Sequence, residues 1–553
     1  STICAAGWTA TTRTKSCKNI IKFRKERKLF SFCVFGKLWY KEGNMTEEEL
    51  EQQIKQMERA EFEADTRFVI RVTWFFMTLA AVIFFIVFVT FGVFPLLWCL
   101  GAGFFLFILI LYSLKRSFRR RPGTFPGVLN ILLTVFLIVC SVYLPVLNGR
   151  IHGLFSQSQK TAIGFYALKE DYRAGHGYTP LPSYEIKDLQ EEIFLTQNDV
   201  TPEVVQQGIE AMRKETGLGE TETLELSSLE KAVNALYSDR GQVLVLNEAY
   251  VPLIAESEAF ADFNDAAQLI YSVSVEAEPI TGGTADMDRN SFSVYLAGSD
   301  TRSGLLSTAG RFDVNMLINV NPQTKRVLIV SIPRDLYVPN PWLGQEKDKL
   351  THLGIYGIDN TMNELEALFG TEIDNYMIVN FNSFKKIVDS LGGIEVDNPY
   401  AFEATEAGIP TGYYFEEGML TLNGDEALAF VRERYTLPDG DFGRNMHQTL
   451  VLNAILDKMM SSAVLVKADR LLRELQGSFL TNVAVKEMYG LIRMQLGSSA
   501  SWQIDTVRLS GEVGTAYCAS GESNLSVVFP DYDTITDVAA EIAALKAGEP
   551  ADK

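Results

Sequence analysis

Hydrophobic positions along the chain fall into two regimes. Between Phe68 and Leu147 apolar residues run almost unbroken; beyond Asn148 they come in short bursts separated by polar turns. Three runs, 68–91, 96–114 and 125–147, approach the roughly 20 residues that a helix needs to cross a bilayer. Gly92–Pro95 is a tight break between the first two. Before them, TEEELEQQIKQMERAEFEAD has the acidic start and periodicity of a helix over 45–67. From Thr161 to Glu278 the bursts alternate as in an α/β domain. A strand AIGFYAL precedes helices at 202–216 and 229–237, a strand QVLVLNEAY, a helix over 262–269 and a closing strand YSVSVEA. From Ser291 three strand-like runs follow, FSVYLAGSD, DVNMLINVN and KRVLIVSIPRD, the last two joined by a turn at NPQTK.

Charge divides the chain at the same place. Up to Leu147 there are 19 Lys and Arg against 10 Asp and Glu; the rest holds 31 against 59. A part that acidic does not bind nucleic acid through a basic face, so an anionic ligand must be held by a few local Arg or Lys residues or by a metal. The connection KRSFRRRPG between the second and third apolar runs is strongly basic, and positive loops stay inside. Three spans then place the N-terminus in the cytoplasm and everything after Asn148 outside. Of six cysteines only Cys518 lies in the large C-terminal part, so no disulfide framework and no zinc spacing exists there. Residues 1–44 are basic and aperiodic; they read as a segment upstream of a true start at Met45 or as a basic tail.

If the three runs after Ser291 form an antiparallel meander, Asp300, Asp313, Arg334 and Asp335 meet at one sheet edge. Three carboxylates and a guanidinium there suit a divalent cation bridging phosphate oxygens, although each loop Asp alone is more often a turn former. Downstream, LNGDEALAFVRER reads as a helix capped near Asn423 and ending in Arg432 and Arg434. Residues at i and i+2 do not share a helical face, so the pair sits where helix gives way to extended chain. Both then reach a ligand, or pair on the surface with Glu433 and Glu426. GDFGRNMHQ brings Arg444, His447 and Gln448 into the next helix.

Six stretches in this order, YLAGSDTR, GRFDVNMLINVNPQTKRVLIVSIPRDLYV, DKLTHLGIYG, FNSFKKIVDSLGGIEVDNP, LNGDEALAFVRER and DGDFGRNMHQ, resemble the LytR–CpsA–Psr family over about 291–460. The resemblance implies an α/β/α catalytic domain with a mixed central sheet over 286–545, below three transmembrane helices (68–147) and a small α/β accessory domain (148–285), with 546–553 as a tail. It implies a multi-pass bacterial membrane enzyme that moves a glycopolymer, such as teichoic acid or capsule, from a polyprenyl-pyrophosphate carrier to a peptidoglycan acceptor. Carried over by position, Asp300 and Asp313 hold Mg2+ (or Mn2+). Arg334, Lys349, Arg432, Arg434, Arg444 and Gln448 bind the pyrophosphate, and Arg334, Asp335, Arg432 and Arg434 are the catalytic set. Asp335 orients Arg334 or acts as base. The family's lipid tunnel would be lined by the apolar faces of 381–391 and 451–459, which otherwise serve as core. His447 stands where the family commonly has Arg, which touches the donor geometry or the pH range. A pyrophosphate hydrolase or an envelope sensor are the alternatives. The block LEKAVNALYSDRGQVLVLNEAYVPLI resembles half of a periplasmic solute-binding lobe; a spacer is the plainer reading.

Overall fold

A computed structural model describes residues 47–118, 124–155, 160–198, 202–276, 287, 289–299, 306–405, 412–438, 440–460, 470–497 and 502–549. They form two units, with a boundary at Pro145 inside the third long helix. Three helical stretches, Lys55–Thr90 of the helix Glu47–Thr90, Leu96–Ser117 and Phe125–Phe155, are each long and apolar enough to cross a membrane. The helix expected at 45–67 and the first span are one continuous element of 44 residues, because no Gly or Pro interrupts the stretch. It ends just before Gly92, whose φ is +74°, and Pro95. Ala80, Ala81, Leu106 and Leu137 pack the helices together. A buried Ser113 hydroxyl donates to Asn130 at 2.5 Å, a polar pair of the sort that joins helices in lipid.

Among its described residues the second unit contains a five-stranded sheet, a six-stranded sheet and four two-stranded ribbons. The first is built from β1 (Lys160–Leu168), β2 (Phe194–Gln197), β3 (Thr223–Leu226), β4 (Val243–Asn247) and β5 (Ala267–Glu276), in the order β3-β2-β4-β1-β5. β1 is antiparallel to both β4 and β5, and β2 runs parallel to β3 and β4. The helices Pro202–Thr216 and Leu229–Tyr237 lie where periodicity places them, the second capped by Ser228. The helix expected over 262–269 is shorter, Phe263–Ala266, because β5 starts at Ala267 and the chain is already extended beside β1.

The remaining strands are β6 (Phe292–Ser299), β7 (Phe312–Asn321), β8 (Arg326–Ile332), β9 (Tyr337–Asn340), β10 (Glu346–Lys349) and β11 (Asn375–Asn380). β12 (Ile394–Asn398), β13 (Phe402–Glu403), β14 (Tyr414–Phe415) and β15 (Gly418–Leu422) make two ribbons. Last come β16 (Leu480–Thr481), β17 (Gln503–Arg508), β18 (Gly511–Cys518) and β19 (Ser523–Pro530). The main sheet has the order β16-β11-β6-β7-β8-β17. Its meander β6-β7-β8 is antiparallel, the arrangement that brings Asp313 and Arg334–Asp335 to one edge, while β11 joins β6 and β17 joins β8 in parallel. Alternate residues of the strands enter different cores: Leu317, Leu328 and Val330 pack with the Ile358–Phe369 and Tyr532–Ala547 helices. Met316, Val327 and Ile329 pack with Leu452 and Leu456 of the Asp441–Met460 helix and Leu491 of the Val485–Gly497 helix. The sheet is therefore covered on both faces, an α/β/α arrangement.

Candidate active site

Strand directions decide what meets at the functional edge. β6, β8, β11 and β17 share one direction and β7 runs against them. The carboxyl ends of four strands and the start of β7 therefore share one edge, the usual location of ligand sites in open α/β sheets. Asn315 pairs with Ile332, which brings Asp313 level with the segment Arg334–Asp335. Asp300, the next residue in sequence after β6, lies outside the described residues.

Here a chain of charges forms. The Arg334 Nη1 donates to Asp313 Oδ1 at 3.0 Å, Arg334 Nε lies 3.5 Å from Asp335 Oδ2, and Lys349 Nζ lies 3.3 Å from Asp335 Oδ1. Backbone bonds hold Lys349 in place: Leu350 N donates to Leu336 O and Thr351 N to Arg334 O, both at 2.9 Å. Burial pushes the Asp313 carboxyl up, but Arg334, Arg311 and Arg444 together outweigh it and hold the group below the usual carboxylate range. The Asp441–Met460 helix reaches the edge at its N-terminal end, where Arg508, the last residue of β17, donates to Phe442 O at 2.9 Å.

The helix cap expected near Asn423 is present, and it is a capping box, with the Glu426 side chain accepting from the Asn423 N–H. Arg432 is the last residue of the Gly424–Arg432 helix, and its guanidinium stacks 4.4 Å over Phe381, the first residue after β11. Arg432 therefore also stands at the sheet edge. Arg434 follows the helix end, its guanidinium 5.6 Å over the ring of Tyr435. Glu433, fully buried, accepts from the N–H groups of Thr405, Arg434, Tyr435 and Thr436 and fixes the chain's exit. Gln448 is buried one helical turn after Arg444. His447, on another side, is a core residue: it stacks on Phe430 at 4.1 Å with Nδ1 3.1 Å from Phe430 O. Burial pushes its pKa down to about 4, with the Phe430 carbonyl and Glu433 pulling weakly the other way. It is neutral at pH 7 and lends the site no charge.

Segments 381–391 and 451–459 are divided among several apolar clusters. Phe384, Val388 and Val451 share one with Phe402 and Phe430, Leu391 packs with Leu154 and Phe479, and Leu452 lies under the main sheet. Among the described residues no three His, Cys, Asp or Glu side chains gather as a metal-binding set. Of the two carboxylates expected to hold a metal, Asp313 is the described one, and its Oδ1 accepts from Arg334; a magnesium-type ion is typically held by one or two carboxylates plus substrate phosphates.

Three neighbours carried no assigned role in the sequence. Arg311 and His352 sit inside recognisable motifs, whereas Glu256 lies 55 and 96 residues from them in the chain, and no local signal marks it.

A family model described as the LytR_cpsA_psr family matches residues 259–541. The chain is 36% identical over 240 residues to the polyisoprenyl-teichoic acid–peptidoglycan teichoic acid transferase TagU of Bacillus licheniformis, covering 42% of this chain and 75% of that protein. It is 33% identical over 232 residues to TagV of Bacillus subtilis, also a polyisoprenyl-teichoic acid–peptidoglycan teichoic acid transferase, covering 41% of this chain and 58% of that one. The crystal structure of B. subtilis TagV aligns with a TM-score of 0.40 and 29% identity, over 48% of this chain and 99% of that one.

Proposed function

As the chain belongs to the LytR–CpsA–Psr family, we propose that it transfers a glycopolymer from a polyprenyl-pyrophosphate carrier to a peptidoglycan hydroxyl at the outer face of the membrane. The charge chain Asp313–Arg334–Asp335–Lys349 at the carboxyl edge of the sheet, with Arg444 beside it, is the observation that carries this reading. Phosphoryl transfer needs little covalent help from a protein; it needs the phosphates positioned and their charge neutralised. Arg334, Arg432, Arg434, Arg444 and Lys349 supply five cations for that purpose, with Gln448 as a further polar contact.

In the proposed reaction the acceptor oxygen attacks the sugar-side phosphorus. The bond from that phosphorus to the bridging oxygen breaks, and polyprenyl phosphate leaves with the electron pair. The hydroxyl proton passes to a carboxylate at the edge or to water. Both oxygens of Asp335 face cations, which supports an orienting role for it more than a basic one. Asp313, with Asp300, would hold a Mg2+ or Mn2+ ion, which when bound would neutralise pyrophosphate oxygens. The named relatives make teichoic acid the first polymer to try. The basic loop at 115–121 faces the cytoplasm in this scheme.

The test is turnover by the full chain in detergent with a lipid-pyrophosphate oligosaccharide, peptidoglycan and Mg2+. Sugar should become wall-linked, with loss of about 10²-fold or more in Arg334→Ala and Asp313→Ala. Undiminished transfer in both variants would remove this site from the reaction.

A further inference from the structure

The Glu256 carboxylate ends the Val251–Glu256 helix of the accessory sheet, three residues before the stretch matched by the family model. One oxygen accepts from Arg311 Nη1 at 2.5 Å and the other lies 3.0 Å from His352 Nε2. The second ring nitrogen of His352, Nδ1, lies 2.7 Å from Asp348 Oδ1. The other oxygen of Asp348 accepts from both the N–H and the hydroxyl of Ser520. Burial pulls the His352 pKa down, but the carboxylate at each ring nitrogen outweighs it and raises the pKa, which favours the imidazolium although the ring is fully buried. Charges thus alternate along Arg311, Glu256, His352 and Asp348, a row in which each ion offsets the desolvation of its neighbours.

Both ends of this row touch the candidate site. Arg311 stands two residues before Asp313 and lowers its pKa. Asp348 adjoins Lys349 and accepts from its backbone N–H at 2.8 Å, and Lys349 in turn faces Asp335. Apolar packing follows the same route. Ile355 and Tyr356, in the motif that supplies Lys349, are buried in the accessory sheet's own core with Tyr250, Leu253 and Ile254.

We propose that Glu256 is a positioning residue for phosphoryl transfer, and that the accessory sheet is a brace that holds Arg311–Asp313 and Lys349–Asp335 in register. The proposal rests on the site reading given above. It assigns the accessory sheet neither a passive spacer's role nor a solute receptor's.

The experiment uses the full chain in detergent with the same lipid-pyrophosphate oligosaccharide and peptidoglycan, and compares Glu256→Gln, Glu256→Asp and Arg334→Ala. Gln keeps the shape but not the charge; Asp keeps the charge but is one methylene short. The expected result is a kcat fall of about 10- to 100-fold in Glu256→Gln with KM little changed, since misplaced groups slow the chemical step more than they weaken binding. Glu256→Asp should recover part of kcat. Melting temperatures of all variants show whether activity merely follows folding. Equal or higher kcat in Gln than in Asp, or a loss proportional to the unfolded fraction, overturns the proposal. Where Glu256→Gln does not fold, Glu256→Asp decides alone, and wild-type kcat in it overturns the proposal. Full turnover in Arg334→Ala overturns the site reading itself, and the brace with it; an inactive Arg334→Ala beside fully active Glu256 variants overturns only the brace.

Discussion

His447 shows how one side chain's surroundings settle its role. A histidine beside an arginine cluster could shift the working pH, but its stack on Phe430 and full burial make it a neutral part of the core. A base whose pKa is lowered by folding stabilises the fold above its unfolded value of 6.5, and that stability is lost as pH falls toward about 4. His447→Phe, which keeps the stack and cannot charge, should flatten the fall of melting temperature between these pH values, a term of about 3 kcal/mol. Glu256 behaves alike on the acid side. Burial opposes its ionisation, but His352 and Arg311 pull its pKa to about 2, so its contribution is present above about 4.5 and lost toward pH 2. His352 has the opposite sign. Its burial is outweighed by Asp348 and Glu256, its pKa is raised, and the stability it adds is lost as pH rises through that value. The parent's melting temperature should therefore decline as pH rises through that value, and a His352→Gln variant should lose that decline.

At the level of elements, the best-read parts were those with a local physical cause. The meander was legible from three strand-like runs, the last two joined by a short turn at NPQTK. The Gly424–Arg432 helix was legible from its cap at Asn423, and Asn423→Ala should cost about 1 kcal/mol in urea denaturation. β2 and β3 were missed. Each has four residues, too few to show a period, and β2 is buried throughout, so nothing alternates. Gly354 marks a contact that no pattern reveals: a Cβ there would stand 2.4 Å from the Phe312 ring and 2.6 Å from Gly310 O. Gly354→Ala should displace the start of β7 with Asp313, costing about 1–3 kcal/mol and lowering turnover; wild-type values of both would show that this close approach is relaxed without consequence.

For the whole molecule, the split of charge and hydropathy marked the three long apolar helices and the acidic remainder directly. It could not give the join between the two sheets, because Glu256 meets partners 55 and 96 residues away and pairing at that distance leaves no local trace. Topology is open to test. With the 115–121 loop inside, protease added to intact cells should digest the part after Asn148 and spare the loop. The chemistry is open to test too. Turnover in 18O-water by the full chain, with lipid-pyrophosphate oligosaccharide and peptidoglycan, distinguishes a hydroxyl acceptor from water. Transfer requires the polymer to end as a phosphodiester on the wall, with polyprenyl phosphate released and no 18O in the linking phosphate. Free sugar phosphate carrying 18O, with no wall-linked product, would contradict it.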